Sequence, residues 1–211
     1  MTAPFDLEQT DRLLSTTRAV RRRLDLDREV PRGVVLDCIR LSQQAPTPSN
    51  QQTWRWLVVD DPGIRSELAR IYREIGEAAL PAARQQMARD AQTHRVYDSA
   101  EALLETLHRV PTLVVPCVSQ PYDGSNLASA SAFFGAIFPA IWSFQLALRS
   151  RGLGSTLTTI HLFRAGEVAK LLGIPDDVTQ VALLPVAYTV GSDFKPARRP
   201  APESITHWNH W

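Results

Sequence analysis

The chain has 211 residues, of which 44% are hydrophobic and 21% charged, and its formal net charge is +1. These figures suit one globular domain over residues 1–211 with a substantial core, and they argue against a general nucleic-acid binder, which needs a strong basic excess. Lys170 and Lys195 are the only lysines among 23 basic residues, and arginine is the better fork for bidentate phosphate recognition.

Met1 to Gln9 carries acidic residues and no apolar run, so no targeting signal is read there and a cytoplasmic protein is expected. Thr10 to Ser15 reads as the end of a short first helix. Arg18, Arg21, Arg22 and Arg23 follow in close succession, and on a helix they could not all face one way. Pro31 is well placed to start a helix carrying Val34, Val35, Cys38, Ile39 and Leu41, which ends at Pro46. Trp54, Trp56 and Val58 alternate with Arg55, Leu57 and Val59, the pattern of a strand, and both tryptophans are expected in the core.

Asp61-Pro62-Gly63 makes a turn, and from Ile64 to His108 the chain reads as helical and charged, with a break at Pro81. Residues 81–98 are the most polar part and read as a mobile helical excursion. Thr112 to Val118 is a short strand, where Pro116 suggests an edge or a bulge. Gly124 to Leu148 carries no charge, but Ser, Asn, Gln and Pro139 interrupt it. A helix from Ala128 to Arg151, buried in a large interface and capped by Gly152, is therefore expected rather than a membrane span. Ser155 to Thr159 reads as a strand, Arg164 to Leu172 as a helix ending at Gly173, and Val178 to Val190 as the last strand. The order suggests an α+β fold with a mixed β-sheet flanked by helices.

Cys38 and Cys117 lie in apolar patterns without metal-ligand spacing and read as reduced core residues. The five histidines are scattered, and neither a G-x-S-x-G elbow, an H-E-x-x-H pair nor a Walker A loop occurs, so neither a metal nor a conventional catalytic residue is expected. The densest chemistry lies in Ala45-Pro46-Thr47-Pro48-Ser49-Asn50-Gln51-Gln52-Thr53-Trp54. Two prolines stiffen this loop, and its hydroxyl and amide groups offer donors and acceptors to something planar and polar.

That loop resembles the AP(S/T)xxNxQxW segment of the FMN-dependent nitroreductase family. Three further segments resemble it in the family's order: Thr17 to Leu24 its RRSxRxF opening, Arg151 to Thr159 its GLGxxxTT segment, and Val181 to Tyr188 followed by Pro196 to Pro200 its strand and RRP tail. The closing His207-Trp208-Asn209-His210-Trp211 resembles the HWNxW ending of actinobacterial-type members. The resemblance implies an intertwined homodimer with FMN at the subunit interface, and NADH or NADPH as donor. By ping-pong turnover the electrons would pass to a flat, electron-poor small molecule such as a nitroaromatic or quinone. Flavin storage without turnover, dehalogenation and flavin breakdown remain alternatives.

Site residues follow from the same resemblance. Arg18, Arg21, Arg22, Arg198 and Arg199 would serve the phosphate and the N1 side of the ring. Pro46, Thr47, Pro48, Ser49, Asn50 and Gln52 would serve the ring and ribityl chain, from the opposite subunit. Leu157, Thr158 and Thr159 would lie beside N5. Ala19 departs from the family's usual Ser and removes one hydroxyl. The aromatic tail is expected to pack on a partner subunit.

Overall fold

The computed structural model describes residues 4–211, so Met1 to Ala3, the first residues of the stretch read for targeting, lie outside the described residues. Six helices and five strands follow in chain order: α1 (Leu7–Thr16), α2 (Arg32–Ser42), β1 (Trp54–Val59), α3 (Pro62–Met87), α4 (Ala91–Thr106), β2 (Thr112–Val118), α5 (Leu127–Ser150), β3 (Leu153–Ser155), α6 (Ala165–Leu172), β4 (Thr179–Gln180) and β5 (Leu184–Tyr188). The strands form one sheet in the order β1-β2-β5-β3, with β4 beside β2. All pairs of named strands are antiparallel. A parallel bridge between Ala19 and Ser155 makes the edge mixed.

Strand β2 shows why the sheet sits at the centre. Every residue in it is buried, and its side chains divide strictly by parity. Leu113, Val115 and Cys117 join the core that α3, α4 and α6 cover. Val114 and Val118 join the core that α2 and α5 cover. Period-2 alternation thus feeds two cores, giving helices on both faces of the sheet. Trp54 and Trp56 fall in the second core, as expected, and the Trp54 indole N–H donates to the Ala136 carbonyl of α5 at 2.7 Å. Cys38 and Cys117 are both free and buried, and burial pushes the Cys117 thiol up to about 12.

Pro116 is not at an edge but beside a bulge, because β2 pairs with β5 and with β4 in registers one residue apart. Strand β2 pairs with β1 on one side and with both β5 and β4 on the other. Pro116 aims its carbonyl at Val181 N–H, in the gap where β5 gives way to β4. Its missing donor falls in the same gap, so no ladder bond is lost. The final strand is split there for the same reason.

Pro81 does not break its helix either. Helix α3 runs through it, and the chain leaves helical geometry only at Ala88, before Asp90 caps α4 by accepting Thr93 N–H at 2.9 Å. One lost backbone bond and a ring clash cost about 3 kcal/mol. Packing of α3 on α4 opposes that, helped by Arg84, which reaches Asp98 at 2.7 Å and Glu101 at 3.0 Å. Residues 81–98 are accordingly helical, as expected, in two segments joined by a short link at 88–90. Smaller boundary changes are that α2 stops at Ser42, before Pro46, and that β3 covers 153–155, with Thr158 only bridging to Leu183.

Helix α5 alone among the described residues is long and apolar enough to cross a membrane by length and composition, with a third of that window buried. It leaves Leu127, Phe138 and Trp142 exposed, while α1 exposes Leu7 and Leu14 and α2 exposes Leu36 and Leu41.

Candidate functional site

The segment after α1 is held as an added edge of the sheet. Val20 N–H donates to the Ser155 carbonyl at 2.9 Å, and Val20 itself is buried. The approach depends on Gly154: a Cβ there would stand 2.7 Å from Thr189 and 3.0 Å from Val20. The room that the missing Cβ leaves is taken up by the side chains of Val20 and Thr189. This packing fixes the segment that carries Arg18 and Arg21 on either side of Val20.

The C-terminal segment is clamped over the same place. The guanidinium groups of Arg23 and Arg149 lie 4.3 and 4.6 Å from the ring centroid of Phe194. Arg23 also donates to Val190 carbonyl and pairs with Asp193 at 2.6 Å. Arg18 donates to the Lys195 carbonyl at 3.2 Å. The chain then runs through Pro196 to Arg199 along the rim of a cleft of about 960 Å³.

Arg18, Arg21, Arg198 and Arg199 line this cleft, together with Ala19 and Thr17. No carboxylate lines it among the described residues. Elsewhere arginines do find acids, as Arg32 does with Asp60 and Arg70 with Glu67 and Glu74. Arg21 donates only to Ser99 Oγ, at 3.3 Å, and burial lowers its pKa. A partly buried guanidinium without a counter-charge is a costly arrangement in isolation, and an anion in the cleft would relieve it. The donor set suits a phosphate dianion, with several forks converging on one space. Arg22 is not part of it: it is exposed, does not line the cleft, and donates to the Asp98 carbonyl at 3.0 Å.

The Pro46–Gln52 loop lies elsewhere; none of its residues lines the cleft. Ser49, Asn50 and Gln52 all have left-handed backbones, with φ of 50°, 54° and 52°. Such residues are strained by roughly 1–3 kcal/mol each and gather at functional sites. Gln52 N–H donates to Thr47 Oγ1 at 3.2 Å, and the Gln52 side-chain amide donates to Asn50 Oδ1 at 2.9 Å. Asn50 and Gln52 are both exposed, and the Asn50 amide N–H₂ and the Gln52 side-chain carbonyl have no hydrogen-bond partner among the described residues.

In the 157–159 segment, Thr158 is committed on every side. Its N–H donates to the Leu183 carbonyl at 3.0 Å and its own carbonyl accepts from Leu183. Its hydroxyl shares a 2.9 Å bond with Tyr72, a buried α3 residue whose phenol burial pushes up. An N–H offered to a cofactor here must come from Leu157 or Thr159. Two residues beyond, His161 is fully buried with neither ring nitrogen partnered, and desolvation lowers it to about 4.

Sequence reasoning missed one wall of the cleft. Gln92, Arg95, Val96 and Ser99 of α4 and Trp142 of α5 line it. A helical i, i+3, i+4, i+7 reading of residues 92–99 puts these four on one face, which is the available signal.

A model of the Nitroreductase family matches residues 14–188. The iodotyrosine deiodinase of Thermotoga neapolitana is 27% identical over 171 residues, covering 81% of this chain and 83% of that one. Among solved structures, an oxidized iodotyrosine deiodinase bound to FMN and 3-iodo-L-tyrosine superposes with a TM-score of 0.69 at 24% identity, covering 94% of this chain and 98% of that one. A BluB-like flavoprotein from Clostridium difficile gives 0.71 at 17%, covering 98% and 100%. The FMN-dependent nitroreductase NfnB from Mycobacterium smegmatis, in complex with NADPH, gives 0.66 at 20%, covering 97% and 100%. With most of its length matched, and with this α+β sheet flanked by helices, the chain belongs to the Nitroreductase family.

Proposed function

We propose that this chain is a single-domain FMN-dependent oxidoreductase. It draws electrons from NADH or NADPH and passes them to a flat, electron-poor acceptor such as a nitroaromatic or quinone. The observation that carries the reading is the convergence of Arg18, Arg21, Arg198 and Arg199, from opposite ends of the chain, on one cleft without a carboxylate. Arg18 and Arg198 bind the phosphate, with Arg199 beside them. Arg21, half-buried, stabilises negative charge on the N1 side of the ring. Bound FMN supplies the electron chemistry, taking electrons from the donor and yielding them to the acceptor in the same space, hence ping-pong kinetics.

The ring needs a second contribution. Asn50 and Gln52 offer an outward donor and acceptor matched to its pyrimidine edge, with Pro46, Thr47, Pro48 and Ser49 along the ribityl chain. Because this loop is apart from the cleft within one chain, we assign it to the cleft of a second copy, in an intertwined homodimer with FMN at the interface. The exposed Leu7, Leu36, Leu41, Leu127 and Phe138, none of which lines the cleft, support that assembly, as do the outward Trp208 and Trp211 of the aromatic tail, which resembles that of actinobacterial-type members. On this reading α5 lies in the dimer interface rather than a lipid bilayer, and the protein is cytoplasmic. An N–H of Leu157 or Thr159, steadied by Thr158, faces N5.

The 27% identity to the Thermotoga deiodinase supports a second reading, reductive dehalogenation on the same site. One set of spectra separates the possibilities. A purified protein that carries flavin, bleaches anaerobically with NADH or NADPH and recovers on adding a quinone or nitroaromatic bears out the first reading. Halide release from a halophenol at comparable rate favours the second. Flavin that neither donor bleaches means storage, and failure to take up FMN rejects the assignment.

A further inference from the structure

The cleft holds more positive charge than one flavin uses. Five arginines line it: Arg18, Arg21, Arg95, Arg198 and Arg199. A phosphate monoester brings at most about two negative charges. The surplus is not scattered. Four of the five come from the two chain-terminal segments, whereas Arg95 stands on the α4 wall, in a helix packed on α3.

Arg95 has no ion-pair or hydrogen-bond partner among the described residues, although acids lie close in its own helix. Those acids are engaged elsewhere. Arg84 of α3 holds both Asp98 and Glu101, and the Asp90 carboxylate caps the start of α4 through Thr93. The α3–α4 ion pairs therefore draw negative charge toward the helix–helix contact and leave Arg95 unneutralised at the cleft.

Its neighbours define what kind of molecule fits. Val96 and Trp142, the latter 44% exposed, offer apolar surface for a flat ring, and Gln92 adds a side-chain amide one turn before Val96. A ring against Trp142 with an anionic group toward Arg95 would satisfy both parts of the wall at once. Charge-assisted bonds to a guanidinium are about twice as strong as neutral ones, and a carboxylate can take two of them in parallel.

We propose that the electron acceptor is an aromatic or quinonoid molecule bearing an anionic group, a carboxylate in the first instance, and that Arg95 is the residue that reads it. This rests on the flavin oxidoreductase reading above. The same anion recognition could instead serve the 2′-phosphate of NADPH, and the test below distinguishes the two.

The FMN-loaded protein and its Arg95→Gln and Arg95→Lys variants are titrated by calorimetry with 4-nitrobenzoate and with the neutral 4-nitrobenzamide. Bleaching by NADH and by NADPH is timed separately. The expected result is a wild-type preference of at least about tenfold for the carboxylate. That preference falls to near unity in Arg95→Gln, is partly kept in Arg95→Lys, and leaves the NADPH-to-NADH ratio alone. Equal affinity for the two ligands in the wild type, or a preference that survives Arg95→Gln, overturns the proposal. So does loss of NADPH selectivity alone, which would assign Arg95 to the donor. If no variant takes up FMN, it is the oxidoreductase reading that fails. The benzoate titration of the cofactor-free protein, wild type against Arg95→Gln, then still reads whether Arg95 binds an anion.

Discussion

The cationic cleft and the Pro46–Gln52 loop are both expected to hold one cofactor, and the chain builds them in opposite ways. The cleft is a tertiary product. Residues near 20 and near 198 meet because Gly154 lets Val20 onto the sheet edge and because Phe194 is clamped by Arg23 and Arg149. The loop is a local product, with three left-handed residues in four positions held by hydrogen bonds within the loop itself. The first is a wall with five arginines and a single amide, Gln92, and the second has a cluster of amides without the charge. On the proposed reading each is half a site, which is the physical argument for a second copy.

The largest test of this division strikes the cleft. Replacing Arg18 and Arg198 together by alanine should remove two charge-assisted contacts worth about 1.5–3 kcal/mol each, weakening FMN on the order of 100-fold or more by fluorescence titration. Stoichiometric FMN retained through purification would refute the phosphate assignment. Asn50→Ala with Gln52→Ala should instead weaken FMN by only about thirtyfold, with neutral hydrogen bonds at roughly 1 kcal/mol apiece. An equal or larger loss than the arginine pair would invert the comparison.

The turn after Thr159, with His161 buried in it, should respond to acid. His161 is held at about 4 in the folded chain, against 6.5 for an ordinary, solvated histidine. Its folded pKa is depressed, so the unfolded chain binds the extra proton first. The neutral-His contribution is whole above pH 6.5 and is lost as pH falls toward 4, by up to about 3 kcal/mol. Melting curves should therefore drop between pH 6.5 and 4.5, and His161→Leu should flatten that limb. A wild-type curve without the drop would show the ring to be solvated.

Gly154→Ala should cost about 1–3 kcal/mol through overpacking against Val20 and Thr189, read as a lower melting temperature together with weaker FMN binding. A loss of stability with unchanged FMN affinity would separate Gly154 from the arginines. The smallest effect belongs to the loop: Ser49→Gly should relieve left-handed strain and stabilise by at most about 1 kcal/mol. Destabilisation there would mean that the serine hydroxyl contributes more than its backbone costs.

Much of this is legible in the chain itself. Alternation in β1, the continuous apolar run of β2, the αL glycine after α6 and the uncharged stretch of α5 all mark elements where they occur, because burial and backbone geometry act on short windows. Sequence and structure part where a neighbour overrides local preference. Pro116 reads as an edge or a bulge, and the one-residue register offset between β5 and β4 decides for the bulge; Pro81 reads as a stop until α4 and Arg84 brace its helix. Arg22 looks equal to Arg18 and Arg21 because the direction of a side chain on an irregular segment follows no period.

By itself, then, the sequence placed most of the helices and strands and supplied the residue types available to grip a phosphate and a flat polar ring. Those are properties of short windows, set by backbone geometry and side-chain chemistry. The tertiary structure alone decided which arginines converge, that Gly154 serves the packing of Val20, that α4 supplies a wall with Arg95, and that the amide loop lies apart from the cleft. Such facts depend on contacts between residues scores of positions apart, and their cause is the closure of the whole core rather than any local pattern.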